Sequence, residues 1–71
     1  MENRVYEIIS EYCGKEDLTN EMSFTEDLGL NSLDLVELVV RFEDEFDIEI
    51  SDRHFHKFVK IEDVIEYLSL A

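Results

Sequence analysis

Val5, Ile8, Ile9 and Tyr12 recur at i, i+3, i+4 and i+7, the repeat that gathers side chains on one face of a 3.6-residue helix. Gly14 follows as a natural stop, so the pattern predicts a first helix over about residues 3–13. From Lys15 to Asn31 the periodicity fades. Leu18, Met22, Phe24 and Leu28 read there as scattered anchors that pin a long loop to the core, and loops of that length in a compact chain are often functional.

The clearest helical pattern starts after Asn31, a good N-cap whose side chain can accept from an orphan amide of the first turn. Asp34, three residues on, meets the positive helix end. Over about residues 32–46, Leu35, Leu38, Val39, Phe42 and Phe46 share one side and should face the core. Leu33, Val36 and Val40 form a second apolar row, offset from the first and interleaved with Asp34, Glu37, Glu43 and Asp44. A helix in a small bundle needs one apolar stripe. The surplus row means either a wider buried face, the commoner fate of such residues, or an exposed patch for a partner.

Ser51 or Asp52 can cap a short helix running through Lys57, with Phe55 and Phe58 as its buried side. Ile61, Val64, Ile65 and Leu68 predict a last helix over about 61–70, with Glu62 and Asp63 in its first turn where the dipole favours them. No strand alternation competes except the brief Ile48–Ile50, and nothing repeats. The expected fold is all-α: a bundle of three longer helices and one short one with a long first loop, one domain over 1–71.

Composition narrows the partners. The chain has 71 residues, 45% of them hydrophobic, too much apolar content for a disordered acidic tail. Nineteen acidic residues against 6 basic ones give a net charge of -13. Nucleic acid and anionic membrane surfaces both need Lys and Arg to meet phosphate, so a basic protein surface is the natural complement, and the self-repulsion argues for a monomer. The apolar runs fall far short of the roughly 20 residues of a membrane span. The start MENRVYEIISEY has no basic region followed by an apolar block, so the chain reads as cytoplasmic and mature as written.

Candidate chemistry thins out quickly. Cys13 is the only cysteine, which leaves no intramolecular disulfide, and it reads as a buried thiol rather than a nucleophile. An EF-hand loop starting at Asp47 would want Gly at Asp52 and Glu at Phe58, so the acidic run Glu43–Asp52 is no calcium loop and no metal site is expected. His54 and His56 point to different sides of a helix and read as surface residues. Ser32 lacks a nucleophile-elbow context, since Gly29 lies three positions before it. With no catalytic residue or constellation in view, the chain reads as a non-enzyme. What remains is a serine hydroxyl at a helix N-terminus, where a phosphate ester is tolerated, beside an acidic and apolar helix face.

Those residues carry a family resemblance. The stretch FTEDLGLNSLDLVELVVRFEDEFDIEISD, Phe24 to Asp52, resembles the acyl carrier proteins, with the E-D-L-G-L-N-S-L-D-L-V-E-L run followed by the acidic helix exit. The order of long helix, long loop, central helix, short helix and last helix extends the likeness across nearly the whole chain. The resemblance implies that Ser32 is the serine that receives 4'-phosphopantetheine from coenzyme A through a phosphodiester made by a separate phosphopantetheinyl transferase, making the chain a phosphoprotein. The arm's thiol would hold acyl groups as thioesters, with the chemistry left to partner enzymes. Leu33, Asp34, Val36, Glu37, Val40, Glu43 and Asp44 match the recognition helix that meets basic, apolar-centred patches on those enzymes, and the interior beneath Leu35, Leu38, Phe42 and Ile50 would shelter the acyl chain.

Two positions depart from the family pattern. Asn31 stands where the family has Asp before the serine, which keeps the cap and loses a charge the transferase is expected to recognise; Ser51 stands where many relatives have proline. The functional expectation is a carrier of fatty acid biosynthesis. A specialised carrier for a polyketide, aminoacyl or lipid-modification pathway is the alternative that Asn31 keeps open, and an unmodified acidic interaction module is the contrasting class.

Overall fold

The chain folds as the periodicity requires, into four helices and no strand among the described residues, which in this computed structural model are 2–70. Met1 and Ala71, the ends of the single domain expected over 1–71, lie outside the described residues. Helix α1 is Glu2–Cys13, α2 Ser32–Phe46, α3 Asp52–Phe55 and α4 Ile61–Leu70. The predicted stripes meet in one core: Val5, Ile8 and Ile9 of α1, Leu35, Leu38, Val39 and Phe42 of α2, and Ile61, Val64, Ile65 and Leu68 of α4. Phe46, expected inside, is only half-buried, because it closes the last turn of α2 at the edge of the bundle. Cys13 is likewise half-buried at the end of α1, a correction to the buried thiol expected there.

The long loop is held by more than its apolar anchors. Phe24 and Leu28 are buried as expected, Leu18 and Met22 half-buried, and Leu30 is a further buried residue. Ser23 pairs with Lys60 in an isolated antiparallel bridge. Loop carbonyls also serve the start of α4: Ile61 N–H donates to the Met22 carbonyl at 3.1 Å and Glu62 N–H to that of Asn20 at 3.0 Å. These are the orphan amides that every helix N-terminus must place somewhere, and a loop tied down this way is part of the framework. Its last residues deliver the chain to α2. The Leu30 N–H donates to the Phe24 carbonyl at 2.9 Å, and Gly29 just before it has φ +68°, a left-handed conformation that glycine adopts without a Cβ penalty.

Helix α3 departs from expectation. It is a single turn ending at Phe55, with His56 and Lys57 in the turn beyond it. Ser51 occupies the N-cap position, yet its hydroxyl does not cap; Ser51 Oγ lies 2.8 Å from His54 Nδ1 instead. Phe58 is buried while Phe55 is half-buried. His54, expected at the surface, is half-buried with its ring 4.6 Å from that of Tyr67, whereas His56 is exposed.

Helix α2 ends in a left-handed cap, in which the Asp47 N–H and, at 3.2 Å, the Ile48 N–H both donate to the Glu43 carbonyl and Asp47 takes the left-handed position at φ 53°. Glycine is the residue this position favours, and the carboxylate adds a negative charge at the negative end of the helix dipole. Asp47→Gly is therefore expected to raise the unfolding free energy by about 1 kcal/mol, read from the urea midpoint at unchanged slope. A lowered midpoint would show that the Asp47 side chain contributes more than its backbone strain costs.

Candidate functional site

Helix α2 opens with a capping box. The Asp34 N–H donates to Asn31 Oδ1 at 2.9 Å, and the Asn31 N–H donates back to Asp34 Oδ2 at 3.3 Å. Asn31 thus caps the helix as the sequence predicts, and Asp34 takes the reciprocal role that stabilises this end. Ser32 is left free of capping duty. It is the first residue of the helix, solvent-exposed, at the positive end of a 15-residue dipole.

The second apolar row resolves outward. Leu33 is 76% exposed, Val36 46% and Val40 46%, against 8% for Leu35 and 0% for Leu38 and Phe42. A wider buried face, the commoner fate of such a row, is therefore corrected: α1, α4 and the loop have already closed over the other stripe. At 100° per residue, Leu33, Val36 and Val40 run down one line of α2, with Glu43 on one flank, Glu37 and Asp44 on the other, and Ser32 at the Val36 edge. Val36, Val39, Val40, Ile50 and Phe55 also line a groove of about 260 Å³ between α2 and α3, rimmed by Glu43, Asp52 and His56. Of the four residues expected to roof an interior for the acyl chain, Leu35, Leu38 and Phe42 are buried and Ile50 is half-buried.

The acids expected on this face do not stand in one environment. Glu43 Oε2 accepts the Ile50 N–H at 2.7 Å and so fixes the connection from α2 to α3, while Asp44 is exposed. Tyr12 Oη approaches Glu37 Oε2 at 2.7 Å and Asp34 Oδ1 at 3.1 Å, joining the last turn of α1 to the first two turns of α2. These contacts hold the Tyr12 hydroxyl well above its ordinary titration range, the hydrogen bond to Glu37 contributing most. Sequence periodicity placed Tyr12 in the core stripe and so missed this role; the available signal was its polar tip at a helix end, which needs a partner wherever it is partly buried.

Basic residues are few here. Arg41, the only base of α2, lies with its guanidinium carbon 5.2 Å from the Tyr12 ring centroid. Arg4 is engaged by Glu7 and Glu45, each at 2.9 Å. Its hydrogen bond holds the Glu45 carboxyl below the usual carboxylate range.

The family model described as the phosphopantetheine attachment site matches residues 3–68 of this chain. Among solved structures, a putative acyl carrier protein from Mycobacterium tuberculosis superposes with a TM-score of 0.92 at 30% sequence identity, covering 97% of this chain and 95% of that one.

Proposed function

Because the chain belongs to the phosphopantetheine-attachment family of acyl carrier proteins, non-catalytic carriers that bear a covalent 4'-phosphopantetheine and work with acyl-handling enzymes, we propose that Ser32 bears the arm and that α2 presents it to those enzymes. One observation carries this reading. Ser32 is exposed at a helix N-terminus whose cap is supplied by its neighbour Asn31, at the head of an exposed apolar row flanked by acids.

The reaction is a phosphoryl transfer. Ser32 Oγ attacks the phosphorus next to the pantetheine of coenzyme A, the phosphoanhydride bond to the adenosine bisphosphate breaks, and the serine proton passes to a base of the transferase. The product is a phosphodiester whose charge lies at the positive end of α2. Held at Ser32, the arm would supply a terminal thiol for carrying acyl groups as thioesters. Leu33, Val36 and Val40 supply apolar contact to a partner, while Asp34, Glu37, Glu43 and Asp44 attract its Lys and Arg and speed encounter.

The density of acids on α2 supports a carrier of fatty acid biosynthesis. Asn31 favours a second reading, a specialised carrier, since it takes a negative charge from the position preceding Ser32. The net charge of -13 opposes self-association and supports a monomer. A single cysteine supports a reducing, cytoplasmic setting, with residues 1–71 as one carrier domain. No helix among the described residues is long and apolar enough to cross a membrane.

Intact mass spectrometry tests the proposal. After incubation with coenzyme A, Mg²⁺ and a broad-specificity phosphopantetheinyl transferase, the expected result is a single pantetheine-sized increase that peptide fragmentation maps to Ser32. An increase mapped to another hydroxyl would overturn the assignment, and no increase in the folded chain would favour the interaction module.

A further inference from the structure

The carrier reading uses the acids of α2 and leaves Tyr12 unexplained. Its hydroxyl has one proton to give and two carboxylates within reach, Glu37 Oε2 at 2.7 Å and Asp34 Oδ1 at 3.1 Å. At any instant it serves one of them, the nearer Glu37 better. The other Asp34 oxygen is already committed to the Asn31 N–H. Two anions therefore share a neutral donor at a place where a cation would satisfy both more strongly. Among the described residues, Arg41 forms no ion pair with either acid. Arg41 lies four residues after Glu37, the spacing at which an acid and a following base pair on a helix, yet its guanidinium sits over the Tyr12 ring at 5.2 Å.

We propose that Tyr12 sets how strongly the α2 face binds cationic partner surfaces: its single proton goes to Glu37 or Asp34, and a partner's Lys or Arg must compete with that hydrogen bond to hold both acids in full. The inference rests on the reading of α2 as the docking face. Tyr12 is in this sense a specificity-determining residue. It grades the pull of the face, admitting partners whose cations bind carboxylates better than a phenol does and slowing weaker ones.

Steady-state kinetics with coenzyme A and a broad-specificity phosphopantetheinyl transferase provide the test. Tyr12→Phe keeps the ring and its stacking with Arg41 while releasing both carboxylates. The expected result is a KM for the carrier about two- to fivefold below that of the unaltered chain at unchanged kcat, the range that one exposed charge contact spans. The difference should shrink as salt is raised, and should diminish in a Glu37→Gln background, where the hydroxyl no longer competes with a cation for an anion at position 37. A KM equal to or above the unaltered value, with the helical circular dichroism unchanged, would overturn the proposal. Should Tyr12→Phe unfold the chain, two other variants decide. Asp44→Asn should raise KM more than Glu37→Gln, because Glu37 is already engaged, and the reverse order or equality overturns it. Failure of the unaltered chain to be modified at all would instead strike the Ser32 and docking-face reading.

Discussion

Phe24→Ala is expected to remove about 3–5 kcal/mol of unfolding free energy, the usual cost of deleting a fully buried phenylalanine ring and leaving a cavity. A chain of this length has about 4–11 kcal/mol in all, at about 0.05–0.15 kcal/mol per residue. The variant should therefore lose about a third or more of its stability, and at the low end of that range it would reach the threshold of folding. Phe24 is 0% exposed although it lies outside every helix, and its backbone is bonded on both sides: its N–H donates to the Val59 carbonyl at 3.0 Å and its carbonyl accepts from Leu30 at 2.9 Å. The ring thus anchors the segment that carries Gly29, Leu30 and Asn31 to the start of α2. Urea unfolding would measure the loss, with Val59→Ala as the control, since Val59 is 56% exposed and should change stability by no more than about 0.5 kcal/mol. A cost below about 1 kcal/mol for Phe24→Ala would mean that the loop is not packed into the core as described.

This loop also shows where the sequence stopped speaking. The helices were legible because their evidence is local: a stripe of period 3.6, Asn31 as a cap, Gly14 as a stop. The long helices accordingly begin and end within a residue of expectation, and α2 runs over Ser32–Phe46 as read. The bridge from Ser23 to Lys60 and the carbonyls that serve the α4 amides join segments some forty residues apart, and no period announces them. Ser51 illustrates a different limit. Its residue type suits an N-cap, but His54 competes for the hydroxyl and wins, so the position was right and the bond was not.

The candidate site was half legible. Pattern alone left the row of Leu33, Val36 and Val40 open between core and surface, because a helix does not record how many neighbours will cover it. Their exposure follows from the bundle having already closed over Leu35, Leu38 and Phe42. Nor could spacing reveal that Asp34 and Glu37 meet a tyrosine more than twenty residues before them. Acids that look equivalent in sequence differ in what they are free to do: Glu43 braces Ile50, Glu37 is engaged by Tyr12, and Asp44 faces solvent.

Ser32→Ala carries the largest functional expectation, complete loss of the pantetheine-sized mass increase, because an alanine methyl has no oxygen to bond phosphorus. The interpretation depends on the fold surviving the change, and the capping geometry says it should. Asn31 accepts the Asp34 N–H at 2.9 Å and closes the capping box, so the Ser32 hydroxyl is not the cap, and alanine is a strong helix former at the first helical position. Unfolding free energy should accordingly stay within about 0.5 kcal/mol. Binding of the unmodified chain to the transferase should also persist, since Leu33, Val36, Val40 and the flanking acids, the docking face of the proposed function, are untouched and do not involve the hydroxyl. A carrier is then distinguished from an acidic interaction module by the divergence of two readouts on one variant: all cargo-dependent function lost, with fold and docking retained. If Ser32→Ala still gained the mass, the arm would belong on another hydroxyl. If it kept every cellular function of the parent, the docking face rather than the arm would be what the chain contributes.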